Sequence, residues 1–90
     1  MEKMDFGDAI KALKNGKRVS RYGWREQGQY LYYVPAASYP AMTEIAVKQW
    51  GEGGLVPYEA YIALKTVHGT VVIWNASQAD MLSEDWFIVG

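Results

Sequence analysis

The sequence predicts an α+β fold: a mainly antiparallel sheet of about four or five strands packed on one N-terminal helix, with a short C-terminal helix. Apolar residues near the N-terminus recur at intervals of three and four, which is the period of an amphipathic helix. Downstream, short runs of aromatic and β-branched residues bounded by glycine or proline are typical of strands. No linker or internal repeat divides the chain, so we expect one domain over residues 1–90.

The first helix is predicted over residues 5–15. Its apolar face is formed by Phe6, Ala9, Ile10 and Leu13. Asp5 is placed to cap the start of the helix, and the last turn carries Lys11 and Lys14, whose charge favours the helix dipole. Gly16 follows, and glycine readily adopts the left-handed conformation that ends a helix.

Strands are predicted over 17–21, 30–34, 60–67, 70–74 and 85–89. In the first, Val19 is expected to point inward and its polar neighbours outward. The third and fourth strands form a hairpin, with His68 and Gly69 as a two-residue turn. Three tyrosines in 30–34 place rings on both faces of one strand, so one face is core and the other is an interface or a groove. We favour a subunit interface.

The middle of the chain, residues 35–57, is predicted to be an irregular surface excursion. It contains three prolines and a glycine-rich stretch, Gly51-Glu-Gly-Gly54. Thr43 to Trp50 is compatible with either a brief helical turn or an edge strand. A long connection in a small domain is more often functional or interface-forming than idle.

Composition excludes several classes of function. The net charge is −1, and the one basic cluster (Lys14, Lys17, Arg18, Arg21 and Arg25) is too small to follow a nucleic-acid polymer. The chain has no cysteine and a single histidine, so we expect neither a metal site nor a cofactor. It shows no signal-peptide core and no run of transmembrane length, which predicts a cytoplasmic protein.

Aromatic residues make up 14% of the chain, more than so small a monomer easily hides, and this favours a homo-oligomer. Catalysis is not favoured. His68 lies in a predicted turn with no serine or cysteine beside it. Glu84 and Asp85 are adjacent, so in a strand they would point to opposite faces and could not act as a paired acid and base.

The C-terminal segment from Trp74 to Trp86 carries the strongest signal for ligand recognition. It places two indole rings around a short predicted helix over 77–83, in which Ser77 caps the start and Asp80 lies at the third position. Asn75 and Gln78 are candidate polar contacts beside Trp74. Trp24, with Arg21 and Arg25 nearby, is a second candidate stacking residue. For Trp24 an ordinary position at the edge of the core is somewhat favoured over ligand contact, and a core position is also typical of Trp74 at the end of a strand.

Four segments carry a resemblance to a known family: residues 5–19, Gly23-Trp24, residues 30–35 and Trp74-Asn-Ala-Ser-Gln-Ala-Asp-Met-Leu-Ser-Glu-Asp-Trp86. In the same order over nearly the whole chain, they resemble a family of small phage and prophage proteins linked to the second type of Thoeris anti-defence protein. The spacing of the last segment is the most specific part of the likeness.

The resemblance implies a sponge, a homotetramer that sequesters cyclic nucleotide immune signals without cleaving them. The expected ligands are cyclic ADP-ribose derivatives from TIR-domain enzymes and, for some members, cyclic dinucleotides, held in pockets shared between protomers. Carried onto this chain, the aromatic contacts are Phe6, Trp24 and Trp74. The polar contacts are Asn75 and Gln78, and the pyrophosphate contact is Arg18 or Arg21. The central segment, residues 38–58, is a candidate for setting ligand choice.

The resulting hypothesis is a non-enzymatic sequestering protein in the cytoplasm of an infected bacterial host. It would bind a small cyclic nucleotide and neither a nucleic-acid polymer nor a membrane. Two alternatives belong to other classes: a protein–protein adaptor of phage or prophage origin, and a nucleotide-cleaving enzyme.

Overall fold

Residues 2–90, which the structure describes, form the predicted α+β fold in this computed structural model. A 3-10 helix, Tyr22–Gln27, joins the first two strands. In chain order the other elements are α1 (Phe6–Lys14), β1 (Arg18–Arg21), β2 (Tyr30–Val34), β3 (Ala37–Pro40), α2 (Glu44–Trp50), β4 (Leu55–Tyr58), β5 (Tyr61–Lys65), β6 (Val71–Ile73), α3 (Gln78–Leu82) and β7 (Trp86–Val89).

The main sheet has five antiparallel strands in the order β6-β5-β2-β1-β7. Alternation along the strands gives it two faces. On the helix face, Val19 pairs with Leu31 on one side and with Ile88 on the other, and α1 covers the centre of this face. On the open face, Tyr30 pairs with Lys65. The main cluster of buried apolar side chains in residues 2–90 therefore lies on the side of α1, while Ala63 and Phe87 are buried on the open face.

This cluster is small and consists of side chains from α1 and from the strands β1, β2 and β7. Its fully or nearly fully buried members are Ala9, Ala12, Leu13, Val19, Leu31 and Trp86. Met4, just before α1, forms a two-way backbone bridge to Trp86, with N–O distances of 2.8 and 3.2 Å. This bridge partly covers the edge of β7 and holds Met4 against the core.

The local signals for α1 and α3 are confirmed. The Asp5 carboxylate accepts a 2.8 Å hydrogen bond from the Asp8 amide, and Gly16 after α1 has φ of 82°. At α3, Ser77 and Asp80 form the reciprocal capping box, with bonds of 3.0 and 2.9 Å. Both helices are thus specified by short-range contacts that the sequence shows directly.

The prediction of an irregular excursion over residues 35–57 is wrong, although the helical alternative for Thr43 to Trp50 is confirmed by α2. The segment from 35 to 60, here called the arm, contains β3 and β4 as an antiparallel pair with α2 inserted between them. Thr43 caps α2, accepting a hydrogen bond of 3.1 Å from the Ala46 amide. The arm's elements pack mainly on one another, and the molecule measures 48 × 26 × 25 Å.

Two local predictions also need correction. The β5–β6 hairpin closes through three residues, 67–69, because the Thr66 amide donates to Thr70 and the Gly69 amide donates to Thr66. Gly69 has φ of 82°, as a glycine ending such a loop requires. Ser20, expected to point to solvent, is buried, and its hydroxyl donates to the Gln29 carbonyl at 2.7 Å. Among residues 2–90, no helix is long and apolar enough to cross a membrane.

Candidate functional site

Three of the predicted site residues meet on the helix face. Phe6, Trp24 and Trp74 surround the buried Trp86, with ring centroids 5.6, 5.4 and 5.9 Å from it. We call these four residues the aromatic cluster. Phe6 and Trp74 also contact each other, at 6.0 Å. Residues from the first helix, the 3-10 helix and the end of β6 are therefore brought together by one central indole.

The three tryptophans of the aromatic cluster differ in burial: one is fully buried, and the other two keep part of their ring surface exposed. Trp86 is 0% exposed, and its indole nitrogen donates to the Asp80 carbonyl at 3.0 Å. Trp24 and Trp74 are each nearly perpendicular to it, at 84° and 82°, and are only partly buried. Edge contacts of this kind stabilise a ring while leaving part of its surface accessible. Trp24 and Trp74 thus combine a fixed position with aromatic surface at the protein exterior.

Arg21 holds the C-terminal segment beside this cluster. Its guanidinium donates to Asp85 and Asp80, both at 2.9 Å, and to the Ser83 hydroxyl at 2.6 Å. Its carbon centre lies 6.0 Å from the Trp86 ring. One side chain on β1 consequently ties the middle of α3 and the residues that follow it to the main sheet.

The charges in this network stabilise one another. The hydrogen bond to Asp85 is the main reason why the pKa of Arg21 is raised; burial opposes it and the bond to Asp80 adds to it. Burial by itself raises the pKa of the Asp80 carboxyl, but hydrogen bonds from Ser77 and Arg21 outweigh it, so this pKa lies below its ordinary value. Both groups therefore stay ionised near neutral pH.

The two predicted polar contacts, Asn75 and Gln78, follow the aromatic cluster in sequence. Both are exposed, Asn75 just after Trp74 and Gln78 as the first residue of α3. Ser77 and Asp80 between and beyond them are engaged in capping, as the sequence predicted. The amides of Asn75 and Gln78 are thus exposed on the protein surface, one and four residues after Trp74 along the chain.

The two candidate arginines lie on opposite faces of the sheet. Arg21 is on the helix face, where it already donates three of its five N–H groups. Arg18, three residues earlier on β1, is on the open face, where it bonds the Gly90 carbonyl at 2.8 Å and lies 4.9 Å from the Tyr30 ring. Within one protomer, the structure does not bring Arg18 to the aromatic cluster.

Arg18 instead lines a surface cavity of about 370 Å³ on the open face. Its other lining residues are Ser20, Arg25, Gly28, Gln29, Tyr30, Phe87 and Val89. A second cavity of about 370 Å³ adjoins Tyr30, Tyr32 and Lys65. Both concavities are lined by cations and rings, and neither includes a member of the aromatic cluster.

Sequence reasoning missed the most connected part of the site. The contacts of Arg21 with Asp80, Ser83 and Asp85 span 59, 62 and 64 positions. No periodicity or local spacing signals such contacts. Arg25 could have been found from the sequence, because it belongs to the basic cluster of residues 14–25. In the structure it lines the open-face cavity.

Comparison with known proteins identifies the family. The profile of the Thoeris anti-defense 2-like domain matches residues 4–89. The chain is also similar to a protein of Bacillus phage SP01 named Thoeris anti-defense 2, with 35% identity over 88 residues, or 97% of this chain and 96% of that protein. The chain belongs to the Thoeris anti-defense 2-like family, which confirms the resemblance found in the sequence. Family membership supports an anti-defence role and a phage-type origin for this protein.

Proposed function

We propose that this protein binds and sequesters a cyclic nucleotide immune signal of the bacterial host and does not cleave it. A cyclic ADP-ribose derivative is the first ligand class, and a cyclic dinucleotide is the second. The protein would act as a homotetramer in the cytoplasm of the infected cell. The observation that carries this proposal is the pair of fixed, partly exposed rings of Trp24 and Trp74.

Stacking supplies the main part of the expected affinity. A nucleobase on an aromatic side chain contributes about 1–3 kcal/mol. Phe6 extends the aromatic surface next to Trp74, and the amides of Asn75 and Gln78 are available for hydrogen bonds to the base or ribose. A planar heterocycle linked to sugar hydroxyls fits this combination of flat and polar groups.

Arg21 and Arg18 would reach the pyrophosphate of a ligand in different ways. Arg21 has two N–H groups left after its bonds to Asp80, Ser83 and Asp85, so it would contact a phosphate only with these two. Arg18 is on the open face, so it would reach a ligand at the aromatic cluster only from another protomer. The proposal therefore predicts a pocket in which Arg18 and the cluster belong to different subunits.

Calorimetric titration tests the ligand class. Cyclic ADP-ribose isomers and cyclic dinucleotides are titrated separately into the purified protein, and at least one is expected to bind at submicromolar concentration. No binding of any of them at micromolar concentration contradicts the proposal. A pull-down from bacterial lysate tests the adaptor alternative. Retention of a heat-stable small molecule supports sequestration, whereas retention of a protein partner instead supports an adaptor.

Trp74 provides the sharpest variant. Trp74→Ala is expected to lower ligand affinity roughly 5- to 150-fold, which corresponds to losing one stacking contact. Trp74→Phe keeps a flat ring and is the matched control, with a smaller loss. Circular dichroism and sedimentation establish whether each variant keeps its fold and assembly. If Trp74→Ala unfolds the protein, or binds ligand as tightly as the parent, Trp74 is not a ligand contact.

A further inference from the structure

The segment from 75 to 85, here called the strap, carries two of the predicted ligand contacts and is held mainly by polar bonds. None of its residues is buried, and Leu82 and Met81 of α3 are 78% and 39% exposed. A helix of five residues, such as α3, is too short to be stable by itself in water. The strap therefore stays folded only while it is attached to the rest of the protein.

Arg21 makes three of the bonds that attach the strap. Its guanidinium donates to the side chains of Asp80, Ser83 and Asp85. Hydrogen bonds between a guanidinium and a carboxylate are about twice as strong as neutral ones. The three charged side chains are only 14–31% exposed, so water competes little for these bonds. We call the three contacts of Arg21 the latch.

Two other bonds to the strap do not depend on Arg21. The Trp86 indole nitrogen donates to the Asp80 carbonyl at 3.0 Å, and the Tyr22 amide donates to the Asp85 carbonyl at 3.1 Å. The buried cluster under α1 contains no residue of the strap. Loss of the latch is therefore expected to loosen the strap locally and to leave the main sheet folded.

The strap and the rings of the aromatic cluster have different needs. Trp24 and Trp74 expose part of their rings while the strap is closed, so a ligand can stack without opening it. The amides of Asn75 and Gln78, in contrast, lie on the strap itself and are ordered only as long as the strap is. Ordering these amides before the ligand arrives removes an entropy cost from binding.

We propose that Arg21 is a positioning residue of the ligand site: the latch holds the strap closed, and the closed strap presents Asn75 and Gln78 to a nucleotide stacked on Trp74. This inference rests on the proposed function and gives Arg21 a role other than contact with phosphate. When a binding-competent conformation is only partly populated, the apparent affinity falls in proportion to its population. Any change that opens the strap should therefore weaken binding, even where it touches no ligand atom.

Hydrogen exchange of the ligand-free protein tests the latch by itself. Arg21→Gln keeps a polar side chain but loses the charge and the fork of donors. Peptides covering 75–85 are expected to exchange roughly tenfold faster than in the parent, with unchanged exchange in β2 and β5. Lys17→Gln removes the same charge at an exposed position before β1 and is the matched control, with parental exchange throughout. Parental exchange of the strap in Arg21→Gln overturns the proposal.

Asp85→Ala separates positioning from direct contact. It removes one bond of the latch and leaves the guanidinium with an additional free N–H group. A direct phosphate contact would then be at least as strong as in the parent, because a neighbouring negative charge is gone. The positioning role predicts the opposite, an affinity about tenfold weaker in calorimetry.

The probe in this titration is the cyclic ADP-ribose isomer or cyclic dinucleotide that binds the parent protein most tightly. Glu84→Ala removes the adjacent exposed carboxylate, which makes no bond to Arg21, and is expected to bind this probe like the parent. Parental or tighter binding by Asp85→Ala overturns the proposal.

Ser83→Ala decides the matter if Arg21→Gln unfolds, because it removes one bond of the latch and leaves both carboxylates in place. It is expected to change strap exchange and affinity in the same direction but less. Saturating probe should slow strap exchange again in each variant, since ligand binding and strap closure are linked reciprocally. No binding by the parent contradicts sequestration itself, whereas parental binding with equal affinity in every variant overturns the role of the latch alone.

Discussion

At the scale of single residues, the protein is organised around two central side chains. Trp86 fills the core and contacts the rings around it, and Arg21 anchors α3 and the residues after it to β1 through three hydrogen bonds. Trp86 exposes no surface to a ligand, and Arg21 already uses three of its five N–H groups in these bonds. Their task is to hold Trp24 and Trp74 in place, which lowers the entropy that binding would otherwise cost.

Substitution of Asp80 tests the contribution of the Arg21 network most directly. Its carboxylate serves both the capping box of α3 and the ion pair with Arg21. Asp80→Ala is expected to lower the free energy of unfolding by about 1–3 kcal/mol, from the lost cap and the unpaired Arg21. Thermal unfolding measures the change. The matched control is Glu84→Ala, an exposed carboxylate four residues on; an equal effect there would contradict the assigned role.

The same carboxylate makes stability depend on pH. Because the folded-state pKa of Asp80 lies below its ordinary value, the unfolded chain takes up this proton first as pH falls. The stabilisation is complete above about pH 4 and is lost as pH decreases through the folded-state pKa. Melting temperatures measured from pH 6 to pH 2 should therefore fall less steeply for Asp80→Asn than for the parent protein. Parallel curves would show that Asp80 does not contribute.

At the scale of elements, the sequence predicted best what is specified locally. The start of α1 at Asp5 and the capping box at Ser77 depend on contacts three residues apart, and both are confirmed. The strand Tyr30–Val34 has the predicted bounds. For the site, the sequence indicated the rings of the aromatic cluster but not the central network of Arg21, because its partners lie 59 or more positions away.

The arm was missed because its prolines and glycines have a different role from the one their local pattern indicates. Pro40 and Pro57 lie within β3 and β4, opposite Leu55 and Ser38. Proline removes a donor from a strand, but both strands of a two-stranded sheet are edges, where an outward position loses no ladder bond. The pattern that breaks a central strand is thus compatible with a hairpin of edge strands.

A substitution at Gly54 tests whether the arm unfolds independently of the main sheet. A side chain at this position would overlap the main-chain carbonyl of Trp50, and the Gly54 amide donates to Gly51 at 2.9 Å. Gly54→Ala is expected to open the turn between α2 and β4 and so expose the arm's amides to hydrogen exchange. Exchange in β1, β2 and β5 should stay slow, which mass spectrometry of peptides resolves.

Gly23 is the matched control for this variant. An added side chain there meets nothing within 4 Å, so Gly23→Ala should leave the exchange pattern unchanged. If Gly54→Ala also accelerates exchange throughout the main sheet, the arm is part of the cooperative core and not a separate element. If it changes nothing, the turn geometry between α2 and β4 is not required for folding.

At the scale of the whole molecule, a sequestering protein differs from an enzyme in what limits its effect. A sequestering protein removes only as many signal molecules as it has binding sites. Its dissociation constant must therefore lie below the working concentration of the signal, and any ligand that it releases must be unchanged. The conformations of Trp24 and Trp74 are fixed by contacts with Trp86, which favours tight binding over motion. A defence assay with increasing protein should therefore show a sharp equivalence point.

The fate of the ligand decides between these classes. After long incubation with the protein, heating is expected to release the cyclic nucleotide with unchanged mass, in an amount equal to that bound. Chromatography coupled to mass spectrometry measures both quantities, and Trp74→Ala, which is expected to retain less ligand, is the control for specific binding. Conversion of more ligand than there are protein sites would identify an enzyme instead. Release of intact ligand at a fixed ratio to protein sites would show that the protein acts through its affinity alone. The rings around Trp86 would then be the residues to which that affinity is assigned.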